Sequence, residues 1–271
     1  MSKVATIQMA SGPKVDANLR EAGRLITLAA EAGAELIVLP ENFAIMGIEE
    51  EDKVAVREEQ GDGPIQAFLV EQAKLHNAWI VGGTVPLVCN DPNKILAACM
   101  LYDNKGNFVE RYDKIHLFDV DLVDTGESYN ESETIEFGSL DLKVVDSPFG
   151  KIGLAVCYDL RFPELFRGLL DLGAEIVVLP AAFTAATGKA HWESLLRARA
   201  IENLMYIVAS GQGGYHINGR ETHGDSMIVD PWGAILNRIE HGAGFSMAEV
   251  NLEYLQSRRK TFPCNEHRRM K

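Results

Sequence analysis

Four cysteines in 271 residues are few, and none sits in a C-x-x-C pair or a closely spaced set. That scarcity argues against a disulfide scaffold and for a reducing, cytoplasmic setting. Apolar runs are short: none approaches the ~20 residues of a membrane-spanning helix, and the opening "MSKVATIQMA" lacks the apolar core of a signal peptide. Basic residues are outnumbered 26 to 39 by acidic ones, giving a net charge of −13. A nucleic-acid partner needs a basic footprint, so this balance excludes one. Also missing are the G-x-S-x-G elbow, H-E-x-x-H and the phosphate loop G-x-x-x-x-G-K-[ST], and "GQGGYH" lacks the last glycine of a dinucleotide fingerprint. His216 and His223 have no companion ligands, so no metal and no cofactor are expected.

With 46% hydrophobic residues the chain has the composition of a globule that can bury a sizeable core. Short β-branched runs alternate with amphipathic stretches. "KVATIQMA" reads as a strand, and "DANLREAGRLITLAAEAGA" sets Leu19, Ala22, Leu25, Ile26, Ala29 and Ala30 at helical spacing before a stop at Gly33. "PIQAFLVEQAKLHNA", "PELFRGLLDLGA" and "AHWESLLRARAIENL" read as further helices. "ILAACMLYDNKGNFVERYDK", "LKVVDSPFGKIGLAVCYD" and "GDSMIVDPWGAILNRI" read as hairpins, with "GFSMAEV" a returning strand and a last helix after it. This predicts an α/β or α+β architecture of mixed sheets covered by helices. No linker or low-complexity segment breaks the chain, so one domain is expected over 1–271. Its basic tail, 252–271, is expected to form a helix and a segment that packs on a partner subunit.

One phrase is written twice: "AELIVLPENF" at 34–43 and "AEIVVLPAAF" at 174–183. The repeat predicts equivalent strand exits in two similar halves. It leaves Glu41 in one copy opposite Ala181 in the other, and loops at strand ends often carry function. A Glu that merely caps a turn is the plainer alternative. In "GLAVCYDLRFPELF" an apolar strand runs into Cys157, and Pro163 suits the first turn of a helix. A thiol at such an elbow lies near backbone N–H groups able to bind an oxyanion. The plainer reading, a cysteine acting as a small hydrophobe, fits Cys89, Cys99 and Cys264 better. A nucleophilic thiol needs a base or cation, because at a pKa of ~8.5 it is mostly protonated. Lys114 is a candidate cation, while His116 invites a Cys–His pairing without the local signature for one.

Taken together, "LPENF", "YDKIHLF" and "CYDLRFPELFR" resemble the carbon–nitrogen hydrolase (nitrilase) superfamily, in order and spacing, over nearly the whole chain. The resemblance implies a four-layer αββα sandwich that associates as a homodimer or higher homo-oligomer. It implies Glu41 as general base, Lys114 as the cation at the oxyanion and Cys157 as nucleophile. A second glutamate beside the lysine is implied at Glu131, with Glu127 and Glu133 as competitors. The segments "AAFTAATGKAHWESLLRARAIEN" and "HGDSMIVDPWG" are most similar to the Nit branch of amidases. That similarity implies Arg161 as holder of a substrate carboxylate and Phe183 and Thr187 as pocket walls; the Tyr158 N–H, next along the elbow, is expected to join Lys114 at the oxyanion. An ion pair of Arg161 with Asp159 or Glu164 is the alternative.

The implied activity is hydrolysis of a small carboxylate-bearing amide to acid and ammonia through a thioester, with deaminated glutathione the favoured substrate. The alternatives are an ω-amidase acting on amides of short keto acids and a silent scaffold of the same fold. "GDS" at 224–226 departs from the branch's commoner "GHS".

Overall fold

The computed structural model describes residues 2–123 and 126–270; Met1 and Lys271, the ends of the expected 1–271 domain, lie outside the described residues. Six helices are present among them: α1 (Val15–Glu31), α2 (Asp52–Ala55), α3 (Pro64–His76), α4 (Pro163–Asp171), α5 (Ala185–Asn203) and α6 (Leu252–Thr261). The periodic apolar face of α1 is buried at Ala22, Leu25, Ile26 and Ala29, and Gly33 ends the segment with φ +96. Only glycine takes that conformation without a Cβ penalty. Pro64 and Pro163 open α3 and α4, where the missing N–H costs nothing. α5 begins five residues before the stretch that reads as helical, because Thr184 caps it by accepting from the Thr187 N–H.

Two sheets form the middle layers. The first has parallel strands Ser2–Gln8, Leu36–Val38 and Trp79–Val81 at its centre, flanked by Gly244–Val250 on one side and the strands between 85 and 113 on the other. The second repeats the plan with parallel strands Gly150–Leu154, Ile176–Ala181 and Tyr206–Gly211. Leu36–Val38 and Ile176–Ala181, the two copies of the repeated phrase, are therefore each the middle strand of a parallel trio. The expected equivalence of their exits holds.

Side-chain alternation then builds the layers. Val4, Leu36, Val38 and Val81 join Leu154, Ile176 and Val178 in one buried cluster between the sheets. Ala5, Ile7 and Ile37 face the other way and pack under α1 and α3, on Ala22, Leu25, Leu69 and Ala73. Leu165, Phe166 and Leu169 of α4 and Trp192 and Leu196 of α5 cover the second sheet. Each such side chain contributes roughly 1.5–3 kcal/mol on burial. The result is the expected helix–sheet–sheet–helix order.

The tail holds its own chain. Leu255 is buried, Arg259 donates to the carbonyls of Leu204 and Ala174, and Asn265 bonds Arg167 and the Asn203 carbonyl. No helix among the described residues is long and apolar enough to cross a membrane.

Candidate active site

The chain after Leu36–Val38 turns sharply at Glu41. Asn42 adopts a left-handed φ of 56, its N–H bonded to Thr84 Oγ1 at 2.9 Å. A backbone in that region is strained for a residue with a side chain and persists only when its surroundings hold it. Here the turn drives the Glu41 carboxylate inward, leaving the residue 3% exposed.

Lys114 follows the strand Phe108–Asp113 and is fully buried. Its Nζ donates to Glu41 Oε1 at 2.9 Å and to Glu131 Oε2 at 2.6 Å. Burial alone would lower the ammonium pKa, but the charges of Glu131 and Glu41 outweigh it and hold it well above the ordinary lysine value. Glu131 opens a short 3₁₀ turn, and its Oε2 also accepts the Phe118 N–H at 2.8 Å. Burial would raise its carboxyl pKa, yet Lys114 brings it below the usual range. Of the three competing acids, Glu131 therefore reaches the lysine. Glu127 instead accepts from the Tyr129 hydroxyl, and Glu133 from Asn130.

Cys157 begins a 3₁₀ turn, Cys157–Arg161, that separates the strand Gly150–Leu154 from α4. Its φ is 46 and it is 7% exposed. The Ala182 N–H lies 3.5 Å from its Sγ. Burial, with the Glu41 carboxylate next, pushes the thiol pKa well above the usual value; a hydrogen bond to Glu41 adds to the shift. The resting sulfur is thus a neutral thiol beside a carboxylate. Cys99 is core, as expected, whereas Cys89 and Cys264 are only half-buried.

The elbow is fixed from beneath by Asp159, which is fully buried. Its carboxylate accepts from Tyr112 Oη at 2.8 Å and the Val156 N–H at 2.8 Å, and lies 2.7 Å from His116 Nδ1. His116 stacks on Phe162 with ring centroids 3.6 Å apart. The Cys–His pairing is therefore not formed: the histidine serves the elbow, not the sulfur.

Asp159 is equally unavailable to Arg161, and neither it nor Glu164 pairs with that side chain. The guanidinium instead lies 5.8 Å from the Tyr158 ring centroid and 5.2 Å from that of Phe183, with His191 Nδ1 at 3.2 Å. Among the described residues it has no carboxylate partner. Phe183 packs on Trp192 with centroids 4.9 Å apart, and the Thr187 hydroxyl is 2.8 Å from that of Thr184. Cys157, Tyr158, Arg161, Phe183 and Thr187 line one small pocket together with Glu131.

A buried thiol, a carboxylate facing it and an ammonium between two carboxylates form a site for nucleophilic attack on a carbonyl. The family profile described as carbon-nitrogen hydrolase matches residues 3–260. The chain belongs to the carbon–nitrogen hydrolase family. A deaminated glutathione amidase of Synechocystis is 42% identical, over 97% of each chain. The NitFhit protein of Caenorhabditis elegans superposes with a TM-score of 0.92 at 35% identity, covering 99% of this chain and 65% of that longer one. Nit3 of Saccharomyces cerevisiae, a member of the nitrilase superfamily, gives 0.88 at 30%, covering 99% and 97%.

Two features of this carbon–nitrogen hydrolase escape sequence reasoning. Arg220 also lines the pocket, brought there by a small hairpin, Gly213–Tyr215 with Glu221–His223, in a stretch where the sequence pattern assigns no element. Asp225, the departure within "GDS", takes both ends of the Arg238 fork at 2.8 and 2.6 Å, and its carbonyl accepts from the Trp192 indole. It anchors α5 outside the pocket.

Proposed function

We propose that this carbon–nitrogen hydrolase is a cysteine-dependent amidase for carboxylate-bearing amides, with deaminated glutathione as substrate. The observation that carries the chemistry is Lys114 Nζ, buried and bridging Glu41 and Glu131 beside the Cys157 thiol. Glu41 takes the thiol proton as sulfur attacks the amide carbon. The Lys114 ammonium and the Tyr158 N–H stabilise the oxyanion; each such donor is worth roughly 3–4 kcal/mol. Glu41 returns the proton to the departing nitrogen as the C–N bond breaks, leaving a thioester. Glu41 then deprotonates a water, which adds to the thioester and restores the thiol and a free acid. Glu131 keeps the lysine charged and in place. Because burial and Glu41 both favour the neutral thiol, the scheme places a base beside it.

Arg161, held by two aromatic faces and without a carboxylate partner among the described residues, is suited to a substrate carboxylate. The substrate named for the relatives refines the expected products. Deaminated glutathione joins a keto-dicarboxylic acyl group to cysteinylglycine by a secondary amide, so an amine leaves rather than ammonia. Purified enzyme incubated with deaminated glutathione and, separately, with α-ketoglutaramate tests the reading. Cysteinylglycine release at the higher kcat/KM supports it; ammonia release from the ω-amide alone would replace it with an ω-amidase.

The reading extends to a homodimer in a reducing compartment. Half-exposed Ile201, Trp232 and Phe262 offer an apolar surface beside α5 and α6, and the four cysteines are free.

A further inference from the structure

The catalytic pocket opens onto a second, wider cavity. Phe118, Glu131 and Arg220 line both, so these three side chains form the neck between them. The inner hollow has a volume of about 10 Å³, room for roughly one water. The outer cavity measures about 340 Å³ and lies within the range of ligand pockets. The outer cavity, past Arg220, has room for an amine as large as a dipeptide.

Arg220 is held but not satisfied. Its Nη2 donates to the Ala182 carbonyl at 2.7 Å, and its guanidinium carbon lies 4.9 Å from the Tyr129 ring centroid. Its Nε is buried with no partner among the described residues. A buried donor left unpaired is uncommon and costs stability unless a ligand completes it. The described acids lining the outer cavity are otherwise engaged. Lys53 holds Glu50 at 2.7 Å, Lys114 holds Glu131, and Glu127 accepts from Tyr129. Arg220 is also tied to the nucleophile, because Ala182, whose carbonyl it holds, presents its N–H to Cys157 Sγ.

We infer that Arg220 reads the leaving group: its guanidinium receives the terminal carboxylate of a dipeptide-like amine seated in the outer cavity. The inference rests on the proposed secondary-amide substrate and makes Arg220 a specificity residue distinct from Arg161, which serves the acyl side. A planar fork fits a carboxylate by two parallel N–H bonds, a geometry an ammonium does not reproduce.

The test compares deaminated glutathione with its analogue carrying a carboxamide at the glycine end. Wild type is expected to favour the free acid in kcat/KM by about tenfold or more. In Arg220→Gln that ratio should fall close to one, whatever the absolute rate, and Arg220→Lys should restore part of it. A ratio unchanged in Arg220→Gln overturns the inference, as does a ratio of one in wild type. Should Arg220→Gln fail to fold, product inhibition of wild type decides. Cysteinylglycine should inhibit at a concentration about tenfold or more below its C-terminal amide, and equal inhibition overturns the assignment. Wild type that cleaves neither secondary amide, while releasing ammonia from α-ketoglutaramate, overturns the substrate reading itself and the inference with it.

Discussion

Glu41 and Ala181 leave equivalent strands of two facing sheets, and one residue holds the main chain of both. The Gln212 side chain donates to the Glu41 carbonyl at 3.0 Å, and its backbone N–H donates to the Ala181 carbonyl at 2.9 Å. The two copies of the repeated phrase thus converge on the site. One copy supplies the carboxylate. The other supplies a backbone whose next N–H, that of Ala182, meets the Cys157 sulfur.

Cys157→Ala and Glu41→Gln should each lower kcat/KM by at least ~10³-fold. Both variants should still melt cooperatively, since Lys114 keeps Glu131 in either. Product release followed chromatographically, with thermal melts by circular dichroism, checks this. Substantial amide hydrolysis by Cys157→Ala would remove the thioester scheme.

The Lys114–Glu131 pair predicts a pH-dependent stability gap. Glu131 in the folded protein sits below its usual range, so its contribution is present above the unfolded carboxyl value of ~4.3. It is lost as pH falls through the lower folded value. Wild type should exceed Glu131→Gln by about 3 kcal/mol at pH 7, as expected when one partner of a buried pair is removed. Urea titrations at pH 7, 5 and 3 should show that gap closing only on the acid side of pH 4.3; a gap that widens there contradicts the assignment.

Gly83 supports the Glu41 turn from below. Its φ is +53, and a Cβ there would lie 2.0 Å from the Pro40 carbonyl oxygen. Gly83→Ala should cost about 2 kcal/mol or more and reduce activity by displacing Glu41. Gly61, with φ +86 and nothing within 4 Å of its Cβ, isolates the backbone cost. Gly61→Ala should cost about 1 kcal/mol and leave turnover intact. Equal losses in the two variants would show that contact with Pro40 is irrelevant.

Asp159→Ala removes the acceptor shared by Tyr112, His116 and Val156. Orphaning those donors should destabilise by about 3 kcal/mol. It should also slow iodoacetamide labelling of Cys157, whose turn loses its support. Peptide mapping of the labelled cysteines measures the second effect; labelling at the wild-type rate would mean that the elbow holds itself.

Much of this was legible without coordinates. Apolar periodicity in 15–31 and the β-branched runs 36–38 and 176–181 carry their own structural instructions, since burial of one face is a local property of the residue pattern. The resemblance of three motifs was enough to nominate Glu41, Lys114 and Cys157, because each follows a strand whose end is visible in sequence. Other features were not legible. Nothing in "NESETIEFG" says which glutamate turns inward, and Glu131 is distinguished only when Phe118 N–H and Lys114 Nζ come within reach of it.

The sequence by itself determined the layers, the repeated strand exits and the residue types able to act as base, cation and nucleophile. Tertiary structure alone decided that His116 serves Asp159, that Arg161 lies against Tyr158 and Phe183 rather than Asp159 or Glu164, and that Arg220 stands at the neck. The reason is physical. Periodicity and turn chemistry act between neighbours in the chain, whereas a buried charge is defined by what folding brings within ~4 Å of it, from any distance along the sequence.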